Sequence, residues 1–267
     1  MSSRVHNAFL GGNDAYAIDR AAAAQVRRLA PSLEVSARVS RAFMRRAVSL
    51  LAGSGVDQFI DIGCGYPTTR NVHEVAQRGN PGARVVYTDN DTGVLVHARA
   101  LLGGYPGVGV AFADAGDVHE LLTHPMLRRL IDMQRPVAVL MVHLLEFLDD
   151  PRAERLLNTL RSTLPLGSHL VVTHMTADLL TGDARDELVA GASLYSGLVA
   201  PFRLRSVSTV NEWLGDCALL PPGVCRADAW RRIDGGGDAS DDGPKGLDAP
   251  VVVAVGRLVD HTGGFRR

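Results

Sequence analysis

The chain has 267 residues, 46% of them hydrophobic and 21% charged, a composition typical of a globular protein long enough to bury its own core. Its 28 basic and 29 acidic side chains leave a formal charge of −1, so it lacks the basic surplus that coating nucleic acid requires. Three cysteines without a CxxC spacing argue against a disulfide framework or a metal site, and no apolar run approaches the roughly 20 residues of a membrane span.

The N-terminus carries no apolar stretch of signal-peptide length, which with the cysteine usage points to a reduced, cytoplasmic protein. Lys245 is the lone lysine, so the basic residues are almost all arginines. Coding bias in a GC-rich genome accounts for that pattern, and the arginines are not read as phosphate ligands.

Residues 14–29 predict a helix with Asp14 as N-cap and Pro31 as stop. Residues 32–51 predict a second, whose Val35, Val39, Phe43, Ala47 and Leu50 recur at helical spacing. Strands then alternate with helices: a strand over 58–62, a helix over 69–77 and a strand over 83–88. A helix over 92–102, capped by Asp91 or Thr92, precedes a strand over 108–113 and a polar helical stretch to about Met133. A strand over 136–142, a helix over 151–164 and a strand over 168–173 follow. This alternation predicts a parallel sheet covered on both faces. Further helices are expected over 178–199 and 207–214, and strands near 224–233 and 251–258. The Gly/Asp-rich segment 234–250 between those strands reads as a mobile hairpin loop.

The strongest local signal is Asp61-Ile-Gly63-Cys-Gly65 at the end of the first predicted strand. Glycines there let the backbone turn and approach a ligand. Asp89 ends the next strand, 24 residues after Gly65, where a carboxylate suits ribose hydroxyls. Asp114 ends the third, within reach of an adenine amino group. A dinucleotide fingerprint would need glycine at Thr68, and Pro67 removes a backbone donor, which disfavours a nicotinamide oxidoreductase. An acidic, donor-poor loop suits a cationic ligand, and S-adenosylmethionine carries a sulfonium and an ammonium.

Several segments carry a resemblance over nearly the whole chain: FLGGNDAYAIDR (9–20), QFIDIGCGYPT (58–68), NVHEVAQ (71–77), VVYTDND (85–91) and THMT (173–176). Weaker echoes run through Tyr195, Pro201 and Trp230-Arg231. Through them the chain resembles an actinobacterial family of S-adenosylmethionine-dependent methyltransferases, formerly a domain of unknown function. The resemblance implies an α/β, Rossmann-like class I methyltransferase fold. Its sheet would be mostly parallel and seven-stranded, with helices on both faces, an N-terminal helical lid and a C-terminal antiparallel hairpin. One domain would span 1–267, with the lid at 1–55, the cofactor-binding core at 56–176 and substrate cap helices with the hairpin at 177–267.

The resemblance further implies that Asp61, Gly63 and Gly65 hold the methionine part of S-adenosyl-L-methionine. Asp89 would bind ribose, Asn90 would flank adenine, and Asp114 with Ala115 would meet the adenine amino group. The LGGNDAY segment would fold over the cofactor, with Asn13 and Tyr16 nearest it. The chain departs from the family pattern where the fourth strand ends: Glu146 stands where a histidine is expected, and His143 comes three residues earlier. His143 paired with Glu146 is the candidate base, and His174 at the fifth strand tip is a third candidate catalytic residue. The expected partner is a small-molecule acceptor in natural-product biosynthesis, with no nucleic acid, membrane or metal. The alternative is a protein that holds S-adenosylmethionine as a sensor. The N-terminal helices suit either a lid or a subunit contact, which leaves a homo-oligomer open.

Overall fold

Five apolar segments flanked by helices become parallel strands: β1 (Gln58–Ile62), β2 (Arg84–Asp89), β3 (Val108–Phe112), β4 (Ala138–Met141) and β5 (His169–Met175). In this computed structural model, which describes residues 1–231 and 249–260, three further strands complete the sheet. These are β6 (Cys217–Leu219), β7 (Cys225–Arg226) and β8 (Val251–Leu258). The order is β3-β2-β1-β4-β5-β8-β6, with β7 paired to β8. β8 runs antiparallel to β5 and lies inside the sheet, and six successive residues from Val251 to Gly256 are buried. The chain therefore reverses between β1 and β4, the switch point where open α/β sheets form a crevice at their strand ends.

Residues alternate between two cores along each strand, as the pleat requires. Phe59, Val85, Tyr87, Leu140 and Val171 face one core; Ile60, Ile62, Val86, Val139 and Met141 face the other. The first core is covered by α1 (Ser2–Phe9), α2 (Ala17–Leu29), α3 (Pro31–Gly53), α4 (Val72–Gly79), α5 (Thr92–Leu102) and α9 (Gly182–Leu198). The second is covered by α6 (Val118–Thr123), α7 (Pro125–Leu130), α8 (Asp150–Thr163) and α10 (Val207–Trp213). Phe43 of α3 is fully buried and meets Trp230 edge-on at 5.0 Å. Phe43→Ala is expected to cost about 3–5 kcal/mol of unfolding free energy in a urea titration, because both the ring and its partner's packing are lost.

Several boundaries differ from the sequence expectation for identifiable reasons. Asp14 does not cap α2: Tyr16 occupies that position, its N–H donating to Asp19 Oδ2 at 2.9 Å, while Asp14 bonds Asn7. Pro31 does end α2, and it also starts α3 at once from the first helical turn. α4 begins at Val72 because Asn71 takes the capping position and its N–H donates to Glu74 Oε2 at 2.6 Å. The polar stretch before Met133 splits at Pro125, with His124 Nδ1 accepting the Met126 N–H.

Among the described residues the sheet has eight strands where seven are expected: β6 is an added three-residue strand, and the strand expected near 224–233 is seen as Cys225–Arg226. Among the described residues both pair with β8. The loop expected over 234–250 lies outside the described residues except for Ala249 and Pro250. No helix among the described residues is long and apolar enough to cross a membrane.

Candidate active site

The C-terminal ends of β1 to β4 open into a cavity of about 280 Å³, which α1 covers. After β1 the chain turns through Gly63 and Gly65, both at positive φ. A Cβ on Gly63 would stand 2.7 Å from Leu144 Cδ1, whereas one on Gly65 would meet nothing within 4 Å. The loop is fixed by N–H donors of Gly63 and Cys64 to the Thr88 carbonyl and by the Gly65 N–H to Asp89 Oδ2 at 2.9 Å. Asp89 Oδ1 takes the Asp91 N–H at 2.9 Å. Each carboxylate oxygen has a second lone pair, so Asp89 keeps acceptor capacity for a ligand.

Burial dominates the electrostatics of these strand tips. Asp61 is 4% exposed, and burial pushes its carboxyl up to about 6, with Arg41 opposing and Asp89 adding to the shift. Burial also raises Asp89, against the N–H donors of Asp91 and Gly65. Cys64 is raised well above the ordinary thiol range by burial and by the charges of Asp89 and Asp61, so it is no ready thiolate. Two buried carboxylates in one crevice fit a ligand that brings positive charge and hydroxyl donors. Among the described residues, no group of three or more His, Cys, Asp or Glu is placed to hold a metal ion.

Asp61, Gly63, Gly65, Asp89, Asn90, Asp114, Ala115 and His143 all line this cavity. Asp114 Oδ1 accepts the Gly116 N–H at 2.8 Å, while the neighbouring Asp117 caps α6. Asn13 and Tyr16 do not line it. Asn13 is on the surface, and Tyr16 is 67% exposed with the Arg4 guanidinium over its ring. The cover comes from α1, which buries Val5 and Phe9 in the core and turns Ser3, His6 and Asn7 toward the cavity. Arg41 of α3 also lines the wall and donates to Thr68 Oγ1. The N-terminal cover thus narrows to α1, since α3 packs in the core layer. His73, in the NVHEVAQ segment, is structural: its Nδ1 and its backbone N–H both meet the Tyr87 hydroxyl at 2.8 Å.

The three candidate catalytic residues occupy different depths. His143 lines the cavity at φ +50°, its N–H donating to Thr173 Oγ1 at 2.9 Å. Glu146 is wholly buried behind it, in the one-turn helix Leu145–Phe147. Glu146 Oε1 lies 3.1 Å from His143 Nδ1 and accepts the Met175 N–H at 3.0 Å. His174 lies deeper still, its Nδ1 3.7 Å from Glu146 Oε2 and its ring against Trp213. Neither Glu146 nor His174 lines the cavity, because the 3-10 turn and β5 hold both inside the core. The expected pairing of Glu146 with His143 is present in the geometry, whereas His174, expected as a third catalytic residue, packs behind Glu146 away from the cavity. Burial raises Glu146 and lowers His143, but His174 and His143 together hold Glu146 down, and Glu146 with the Ser36 carbonyl holds His143 up. His174 is lowered to about 4, chiefly by burial.

A sheet reversed between β1 and β4, closed by an antiparallel strand beside β5 and carrying acidic strand tips, defines a class I methyltransferase. A profile of the S-adenosyl methyltransferase family matches residues 1–257, and the chain belongs to that family. It is similar to a DUF574 family protein from Streptomyces avermitilis, at 34% identity and TM-score 0.88, with 97% of each chain covered. It is also similar to a candidate methyltransferase from Thermobifida fusca, at 35% identity and TM-score 0.86, covering 96% of this chain and 94% of that one. An O-methyltransferase family protein from Burkholderia thailandensis shares the fold at 15% identity and TM-score 0.53, covering 82% of this chain and 56% of that one. No curated protein matches the chain. The enzyme is an S-adenosylmethionine-dependent methyltransferase, and membership in that family favours catalysis over the sensing alternative.

Proposed function

We propose that the methyl group passes to a small organic acceptor inside the cavity beneath α1, in natural-product biosynthesis as the family resemblance suggests. The observation that supports this is the cover: a cavity of about 280 Å³ overlain by the chain's own α1 suits a small molecule better than a nucleic-acid helix or folded protein. Asp61 receives the ammonium of the methionine part, and Arg41, on the same wall, receives its carboxylate. Asp89 accepts the ribose hydroxyls, while Asn90, Asp114 and Ala115 bound the adenine. S-adenosylmethionine supplies a methyl group already activated by its sulfonium. The protein's own contribution is to align the acceptor for in-line attack and to exclude water by closing α1.

A calorimetric series with S-adenosylmethionine, S-adenosylhomocysteine and NAD tests this reading of the cavity. Both adenosyl ligands are expected to bind and NAD is not. Binding of NAD with no response to the adenosyl ligands overturns it.

A further inference from the structure

The strand-tip carboxylates leave one stretch of cavity wall unassigned, formed by His6, Met44, His143, Phe147, Ala200 and Pro201. His143 is its polar centre, and both of its ring nitrogens face atoms that can only accept. Nδ1 is 3.1 Å from Glu146 Oε1, and Nε2 is 3.1 Å from the Ser36 carbonyl oxygen. A neutral imidazole has one N–H, so it would leave one contact as lone pair against lone pair. Protonating Glu146 would relieve one side only at a cost, because the same Oε1 already takes the Met175 N–H and Oε2 faces His174. An imidazolium satisfies both contacts at once, with both protons committed and no lone pair left to deprotonate an acceptor.

The surroundings keep that charge single and fixed. The groups facing it are Glu146 behind, His6 of α1 with ring centroid 5.4 Å away, Arg41 on the same wall, and His174 beyond Glu146. His6 is pushed down to about 3 by burial and by the charges of His143 and Arg41, so it stands neutral against the cation. The side chain of His143 is 7% exposed, and its backbone is anchored through Thr173.

We propose that the acceptor binds and reacts as an anion, a phenolate, enolate or carboxylate whose charge is held by the His143 imidazolium. This rests on the methyltransferase reading above. The acceptor loses its proton to solvent before enclosure, and the neighbouring cation favours that ionised form. Its lone pair forms the bond to the methyl carbon, the carbon–sulfur bond breaks, and the electron pair of that bond stays on sulfur as a thioether. One negative and one positive charge cancel, no base is needed within the cavity, and His143 acts as a fixed cation.

The test uses protein saturated with S-adenosylhomocysteine, whose binding is measured first. Benzoate, 4-nitrophenolate, benzyl alcohol and benzylamine are then titrated near neutral pH, and the His143 ring nitrogens are followed by NMR. The anions are expected to bind about tenfold or more tightly than the alcohol or amine, the scale of a Coulombic contact with a partly desolvated cation. His143 is expected to titrate above its ordinary 6.5. Glu146→Gln is expected to erase the preference for anions and to lower the His143 titration. Should that variant fail to fold, the wild-type ring titration and ligand series decide alone. A ring titrating at or below 6.5, or benzylamine binding as well as benzoate, overturns the proposal while leaving the cofactor reading intact. Failure of S-adenosylhomocysteine to bind overturns both.

Discussion

Asp89→Ala is expected to weaken S-adenosylhomocysteine binding by about a hundredfold or more in calorimetry. The carboxylate has two tasks. Toward the protein it fixes the glycine loop by accepting the Gly65 N–H at 2.9 Å and the start of α5 through the Asp91 N–H at 2.9 Å. Toward the ligand, in the binding mode proposed above, its remaining lone pairs would accept two ribose hydroxyls. A hydrogen bond to a charged group contributes about 1.5–3 kcal/mol, so two lost together give about 3–4 kcal/mol after imperfect additivity, or two to three powers of ten in Kd. Asp89→Asn keeps one acceptor oxygen and is expected to lose about tenfold. An alanine variant that binds as tightly as the wild type would remove Asp89 from the ribose site.

The strand tips were legible because parallel strands joined by helices all end at one edge, so Asp61, Asp89 and Asp114 had to converge whatever the loops did. What the sequence hid was carried by contacts between distant residues. The commitment of both His143 nitrogens depends on the Ser36 carbonyl, 107 residues away, which no local pattern reveals. Within the expected helical lid of 1–55, α1 has no pattern of its own, because an eight-residue helix without a side-chain cap buries only Val5, Asn7 and Phe9. The LGGND motif points in sequence to Asn13 and Tyr16, which are exposed in the fold. In the fold its Asp14 bonds Asn7, while Asp19 pairs with Arg4, so the motif secures α1 across the cavity mouth. Arginine bias concealed in the same way. Arg46 reaches the carbonyls of Ala227 and Trp230, Arg205 those of Leu145 and Leu148, and Arg41 the cavity, amid many arginines that do none of these.

Asp61→Asn is expected to separate stability from binding. Burial raises this carboxyl from 3.8 to about 6 in the folded protein. A group whose folded pKa lies above its unfolded one adds stability fully below the unfolded value, and that stability is lost as pH rises through the folded value. At pH 7 the ionised Asp61 therefore costs the ligand-free enzyme up to about 3 kcal/mol, at 1.36 kcal/mol per pH unit. Asparagine has the same shape and no charge, so the variant is expected to unfold at higher urea concentration at pH 7. The difference should shrink as pH falls from 6 toward 3.8 and vanish only well below 3.8, where the wild-type carboxyl is protonated in both states. Binding moves the opposite way. Removing one member of a buried charge pair costs about 2–5 kcal/mol, so affinity for S-adenosylhomocysteine should fall by about two powers of ten. Wild-type affinity is expected to level off above about pH 6 and to decline by up to about tenfold per unit below it, if the proton must leave Asp61 before the ammonium can pair. The variant's weaker affinity carries no such inflection. Equal affinity and an unchanged pH profile would show that the ammonium binds elsewhere, and a less stable variant at pH 7 would show that the carboxylate is held by bonds that offset its burial.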